Sequence, residues 1–110
     1  MIRHGQLADV SSLATLAQKL WPKHTVDTLE KEIQEAITKP NVAFFLAFTE
    51  NQPIAFAQCQ LRHDYVEGTN SSPVGYLEGI YVRQRYRQQG IAGELLTACQ
   101  TWAKHNYCTE

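Results

Sequence analysis

No apolar stretch in these 110 residues approaches the ~20 consecutive residues that a membrane-spanning helix needs. The first residues also lack the basic flank and apolar run of a secretion signal, so the chain reads as cytoplasmic, with no membrane partner. Charge of one sign is missing too. Ten Lys+Arg face eleven Asp+Glu, for a net charge of −1, and this excludes a broad nucleic-acid-binding surface. Cys59, Cys99 and Cys108 are odd in number and without metal or redox spacing; they read as reduced thiols with no assigned chemistry. His4, His24, His63 and His105 are scattered with no i, i+4 pair, and no metal site is expected. Neither G-x-G-x-x-G nor G-x-x-x-x-G-K-[ST] occurs, which removes the dinucleotide and P-loop phosphate sites. Asn70-Ser71-Ser72 spells a glycosylation sequon, but without a secretory route it reads as a polar turn.

What is present is enough for one core, since 44% of the residues are hydrophobic and 110 residues suit a single domain. Residues 1–4 can form a short strand. Leu7, Val10, Leu13, Leu16, Ala17 and Leu20 then repeat at helical spacing, and Pro22 stops that helix near Trp21. Trp21-Pro22-Lys23-His24 is a loop. Asp27, with Glu30 three residues on, is expected to cap a second helix whose apolar face is Leu29, Ile33, Ala36 and Ile37, ending before Pro40. Val42–Thr49 and residues 54–62 read as a hairpin joined through Glu50-Asn51-Gln52-Pro53. In its second arm Phe56, Gln58, Gln60 and Arg62 share a face more polar than a core strand, as expected of a cleft wall. Residues 64–73 are rich in Gly, Asn, Ser and Pro and of a length that often carries function.

The chemistry concentrates in residues 74–103. A strand, Val74–Val82, leads into a loop with Arg83, Arg85 and Arg87, after which Gly90-Ile91-Ala92-Gly93 opens a helix. The first N–H groups of a helix have no helical partner, and the helix dipole adds positive charge, so such a loop suits a diphosphate. The helix presents Ile91, Leu95, Cys99, Trp102 and Ala103 to the sheet with Leu96 beside them, and Gly93 is expected to permit close backbone approach. Glu78-Gly79 in mid-strand suggests a β-bulge, which would re-aim a neighbouring side chain toward a site. Taken alone, Glu78 is equally well an edge carboxylate facing water.

Arg87-Gln88-Gln89-Gly90-Ile91-Ala92 fits R-x-x-G-x-A and resembles the pyrophosphate loop of the GNAT acetyltransferases. Leu20-Trp21-Pro22-Lys23-His24, Arg62-His63-Asp64-Tyr65-Val66-Glu67-Gly68, Ser71-Ser72-Pro73-Val74 and Leu77-Glu78-Gly79-Ile80-Tyr81-Val82 together resemble the aminoglycoside 6'-N-acetyltransferases of that superfamily. The resemblance implies an α/β GNAT fold, here a four-stranded, mostly antiparallel sheet with three helices, as a single domain over 1–110 that lacks the family's C-terminal part. It implies acetyl-CoA as cosubstrate, with no metal. Its pantetheine would pair with the backbone of Ile80, Tyr81 and Val82, and its pyrophosphate would meet Arg87, Gln88, Gln89, Gly90, Ile91, Ala92 and Gly93. Gln89 stands where many relatives carry an arginine, which leaves less positive charge beside the phosphates. Glu78 is implied to hold the substrate amine and take its proton, with Trp21, His24 and Tyr65 lining the pocket. Transfer to the 6'-amine of an aminoglycoside is therefore expected. The alternatives are a GNAT enzyme acting on another amine, or an inactive CoA-binding fragment. If the chain ends after its third helix, the edge of Val74–Val82 is left open, and a homodimer paired there is expected.

Overall fold

A computed structural model describes residues 1–62 and 74–106. Its centre is a hairpin apolar on both faces, because helices cover both. In β2 (Val42–Thr49) residues Val42, Phe44, Leu46 and Phe48 point one way and Ala43, Phe45 and Ala47 the other. β3 (Gln52–Arg62) pairs antiparallel with β2, β1 (Ile2–His4) adds to the outer side of β2, and β4 (Val74–Val82) adds to β3. The order is β1-β2-β3-β4, and every described pairing is antiparallel.

Two helices cover one face. A single 3-10 turn, Leu7–Asp9, leads into α1 (Val10–Leu20), which buries Leu13, Ala14, Leu16 and Ala17 and ends at Trp21, before Pro22, as the sequence implies. α2 (Val26–Ile37) contributes Leu29 and Ile33, with Ala36 and Ile37 partly buried at the rim of the same core. Its cap differs from the expectation at Asp27. Thr25 is extended, with φ −82° and ψ 156°, and its Oγ1 accepts the Thr28 N–H at 3.1 Å, which places Asp27 within the first turn, where its charge meets the helix dipole.

The other face takes α3 (Ile91–His105), whose Leu95 and Cys99 lie on Ala43, Ala47, Ala55 and Ala57, while Ala103 packs with Leu61. Alanine there keeps the sheet surface low, so the helix can settle on it. The hairpin is tighter than expected. Glu50 and Asn51 both take positive φ, 51° and 65°, which makes a two-residue turn whose twist matches the strands. Gln52 and Pro53 consequently belong to β3. Pro53 lies opposite Phe48 while Ala55 lies opposite Ala47, so Ile54 is an extra residue and the proline sits at a bulge near the strand start. No helix among the described residues is long and apolar enough to cross a membrane.

One ion pair ties the N-terminal strand to the first turn. Arg3 donates to both carboxylate oxygens of the buried Asp9, at 2.6 and 2.7 Å, and the Gln6 N–H adds a bond of 2.9 Å. Hydrogen bonding from Arg3 holds the Asp9 carboxyl below its ordinary range. A depressed carboxylate contributes stability above its unfolded value, near pH ~3.9, and that contribution is lost as pH falls through the folded value. Asp9→Asn is expected to cost about 1–3 kcal/mol near neutrality. In urea denaturation the gap to the parent protein should close toward about pH 2. An equal gap at both pH values would contradict this role for the pair.

Candidate active site

β4 contains one residue too many for its partner. Gly79 lies opposite Gln58 and Leu77 lies opposite Cys59, leaving Glu78 as the unpaired residue of a bulge. Counting back from Val82 shows what this does. Val82 and Ile80 pack on the α3 side, and strict alternation would send Glu78 the same way, into an apolar layer. The extra residue breaks the period. Leu77 takes the α3 side, beside Leu96 and Cys99, and Glu78 joins the face covered by α1 and α2.

On that face a cleft of about 250 Å³ is lined by Trp21, His24, Glu32, Gln58 and Glu78, with Leu29, Ile33, Ala36 and Phe44 as its apolar floor. Trp21 arrives from the end of α1, edge-on to Phe56 with ring centroids 6.2 Å apart. It is seated on Gly79, where a Cβ would lie 2.8 Å from two indole carbons and 3.0 Å from Leu20 Cδ2. Glycine at this position therefore leaves room for the indole. His24 follows in the turn after α1, its N–H donating to the Trp21 carbonyl at 3.0 Å, and its side chain is exposed. Arg62, from the end of β3, donates through Nη2 to Glu78 Oε1 at 2.5 Å.

The structure thus brings Trp21, His24 and Glu78 to one cleft, which Gln58 lines from the polar face of β3. Tyr65 lies outside the described residues. Glu32 and the apolar floor from α2 were missed by sequence reasoning, because helix spacing gives a face but not its neighbour. Arg62 was seen as part of a polar strand face, yet its ion pair with Glu78 depends on the bulge.

Beyond Val82 the arginines have structural partners. Arg83 donates through Nε to the Pro53 carbonyl at 3.1 Å, and Arg87 donates through Nε to the Val82 carbonyl at 2.8 Å. They brace the loop against β3 and β4. A 3-10 turn, Gln84–Tyr86, follows, and Gln88 takes φ 64°. Gly90 is the left-handed N-cap of α3, with φ 81° and no side-chain cap. The opening N–H groups of α3 are thus free of a capping side chain. Among the described residues, a Cβ at Gly90 or Gly93 would meet nothing within 4 Å, so the expected close approach of Gly93 to the sheet is not found there and open space lies outside both glycines. That space, next to uncapped donors, fits a diphosphate of the kind acetyl-CoA carries. Ile80, Tyr81 and Val82 end a strand that borders only β3 among the described residues, so their outer backbone groups face no neighbouring strand there.

Cys59 and Cys99 meet in the layer between β3 and α3 as free thiols. Hydrogen bonding to Cys99 and burial push the Cys59 thiol up, away from thiolate reactivity. Among the described residues no group of His, Cys, Asp or Glu could hold a metal ion.

Residues 9–110 match the Acetyltransferase (GNAT) family. A curated relative from Salmonella typhimurium, an aminoglycoside N(6')-acetyltransferase type 1, is 40% identical over 95 residues, which cover 86% of this chain and 66% of the relative. The chain thus spans about two thirds of that relative's length. Among solved structures, aminoglycoside N-acetyltransferase AAC(6')-Iy in complex with CoA superposes with a TM-score of 0.92 at 36% identity, covering 100% of this chain and 72% of that one. The same enzyme bound to the bisubstrate analogue CoA-S-monomethyl-acetylneamine gives 0.90 at 36% identity, covering 100% and 75%.

The seat of Trp21 can be tested directly. Gly79→Ala is expected to destabilise the protein by about 1–3 kcal/mol, since the added methyl overlaps a ring that Phe56 holds in place. Trp21 emission should shift as the indole is displaced, with Trp102→Phe as background to isolate it. Unchanged stability and emission would show that the indole does not rest on the bulge.

Proposed function

Because this chain belongs to the GNAT acetyltransferase family, we propose that it transfers acetyl from acetyl-CoA to a primary amine, the 6'-amine of an aminoglycoside. The observation that carries this reading is the bulge that turns Glu78 into a cleft shared with Trp21 and His24, on the same strand whose far end leads to α3. The relatives named for aminoglycoside acetylation, and the neighbour bound to a CoA–aminoglycoside analogue, support the substrate class. We read residues 1–110 as one GNAT domain.

Acetyl-CoA, when bound, supplies the thioester carbonyl. The chain's residues do the rest. In the proposed arrangement the backbone of Ile80, Tyr81 and Val82 aligns the pantetheine arm, and Arg87, Gln88, Gln89, Gly90, Ile91, Ala92 and Gly93 form the cradle for the pyrophosphate, chiefly through N–H donors. An ammonium has no lone pair, so the amine must lose a proton before or as it attacks; Glu78 accepts it, directly or through a water. Trp21 and Tyr65 supply apolar walls for the sugar, and His24 a polar contact at the rim. Neither cysteine of the α3 layer takes part, and transfer runs directly from thioester to amine. A cytoplasmic location belongs to the same proposal, supported by the need for a polyanionic cosubstrate that does not cross membranes.

A homodimer is also proposed, supported by β4 as an outer strand of the described sheet with Leu77 exposed. Sedimentation should find a dimer at high micromolar concentration; monomer alone would refute it.

Glu78→Gln is expected to lower turnover of an aminoglycoside about tenfold or more near neutral pH. The loss should be smaller at high pH, where the free amine is already abundant, and acetyl-CoA binding should persist. Activity unchanged across pH would remove Glu78 from the reaction, and cofactor binding without any turnover by the parent protein would favour a CoA-binding role instead. Gly90→Val should weaken CoA binding about tenfold or more, through crowding outside the helix start and loss of the left-handed cap. Calorimetry giving parental affinity, with melting checked separately, would reject the cradle.

A further inference from the structure

The Glu78 carboxylate already has a cation. Arg62 Nη2 donates to Oε1, and the guanidinium carbon lies 4.6 Å from the centroid of the Tyr76 ring. The bulge makes both contacts possible at once, because it puts Glu78 on the face that Tyr76 and Arg62 share. A guanidinium held by a carboxylate at its edge and a ring at its face has little freedom to swing away. The Glu78 side chain is half-buried, 26% exposed, while that of Arg62 is exposed at 45%.

This arrangement bears on a conflict in amine acetylation. A bare carboxylate attracts an ammonium, and it thereby favours the protonated form that cannot attack a thioester. A fixed cation beside the carboxylate offsets that attraction while leaving an oxygen acceptor for the proton. Among the described residues, the other charged or titratable groups of the cleft and its rim are His24 from the loop after α1, Glu32 from α2 and Tyr76 from β4. Among the described residues, Arg62 alone brings a permanent positive charge to Glu78.

We infer that Arg62 is a positioning residue that fixes the Glu78 carboxylate and, by neutralising part of its charge, makes the site bind the substrate amine in its neutral, nucleophilic form. The inference rests on the reading of Glu78 as the amine-binding carboxylate. It implies an unusual signature: removing the cation strengthens amine binding while it slows turnover. A side chain that only supported the fold would weaken both.

Kanamycin is the probe. Calorimetric titration near pH 7.5, repeated in two buffers of different ionisation enthalpy, yields both the affinity and the number of protons exchanged on binding. Arg62→Gln should bind kanamycin about two- to fivefold tighter than the parent protein. It should also take up more protons per binding event, with kcat and KM falling together in the acetylation assay. Arg62→Lys keeps the charge and should stay near the parental proton count. Equal affinity and proton exchange in parent and Arg62→Gln would overturn the inference, as would weaker binding with an unchanged proton count. If the parent protein does not bind kanamycin at all, the reading of the cleft as an aminoglycoside site fails first, and this inference fails with it. Melting curves of both variants identify any loss of the fold.

Discussion

One unpaired residue in β4 governs the disposition of this molecule. A strand places successive side chains on opposite faces, and here both faces are claimed, one by α1 and α2 and the other by α3. A regular Val74–Val82 strand would point Glu78 at the alanine-rich layer under α3, where an unpaired carboxylate would be costly. The bulge at Glu78 removes that conflict and turns it to use. Apolar residues on either side of the bulge, Leu77 and Ile80, remain toward α3, while the carboxylate emerges beside Trp21, His24 and Arg62. Gly79 completes the device, because the indole of Trp21 occupies the space where its side chain would be.

The two ends of β4 are then linked by a single rigid element. Glu78 and Val82 are four residues apart on one strand, about 13 Å at the usual rise. Past Val82 the chain is braced by Arg83 on the Pro53 carbonyl and by Arg87 on that of Val82. Gly90 then turns into α3 with left-handed geometry and no side chain over the helix start. Arg83 and Arg87 therefore shape the loop that leads into the helix start. The Glu78 carboxylate, the strand backbone and the helix start are held in a fixed relation by the sheet, which is what the proposed transfer without a covalent intermediate requires.

Much of this was legible in the sequence. Helix periodicity, the Pro22 stop and the limits of β2 and β4 follow from local chemistry and reappear in the structure. The Glu78-Gly79 bulge was also readable, because a glycine in a strand rarely lacks a reason. Other features depend on contacts that local patterns do not encode. Asp27 looked like a cap because an acidic residue preceded Glu30 at the right spacing; Thr25 won because its extended backbone aims its hydroxyl at the Thr28 N–H. Gly93 looked like a packing glycine, yet among the described residues nothing lies within 4 Å of where its Cβ would be. The Arg62–Glu78 pair joins residues 16 apart, across a strand pairing whose register the bulge itself resets. The cleft floor from Leu29 and Ile33 required knowing which helix crosses which strand.

The central claim is that the bulge exists to present Glu78 to a substrate amine beside the acetyl donor. A crystal structure of the protein with a bisubstrate analogue, joining CoA through its sulfur to the 6'-nitrogen of an aminoglycoside, tests it most directly. The account predicts that nitrogen within direct or one-water hydrogen-bond reach of the Glu78 carboxylate, about 2.6–3.2 Å per bond. It also predicts the diphosphate on the backbone of residues 88–93. A nitrogen remote from Glu78, or a β4 in regular register with that carboxylate turned toward α3, would contradict it.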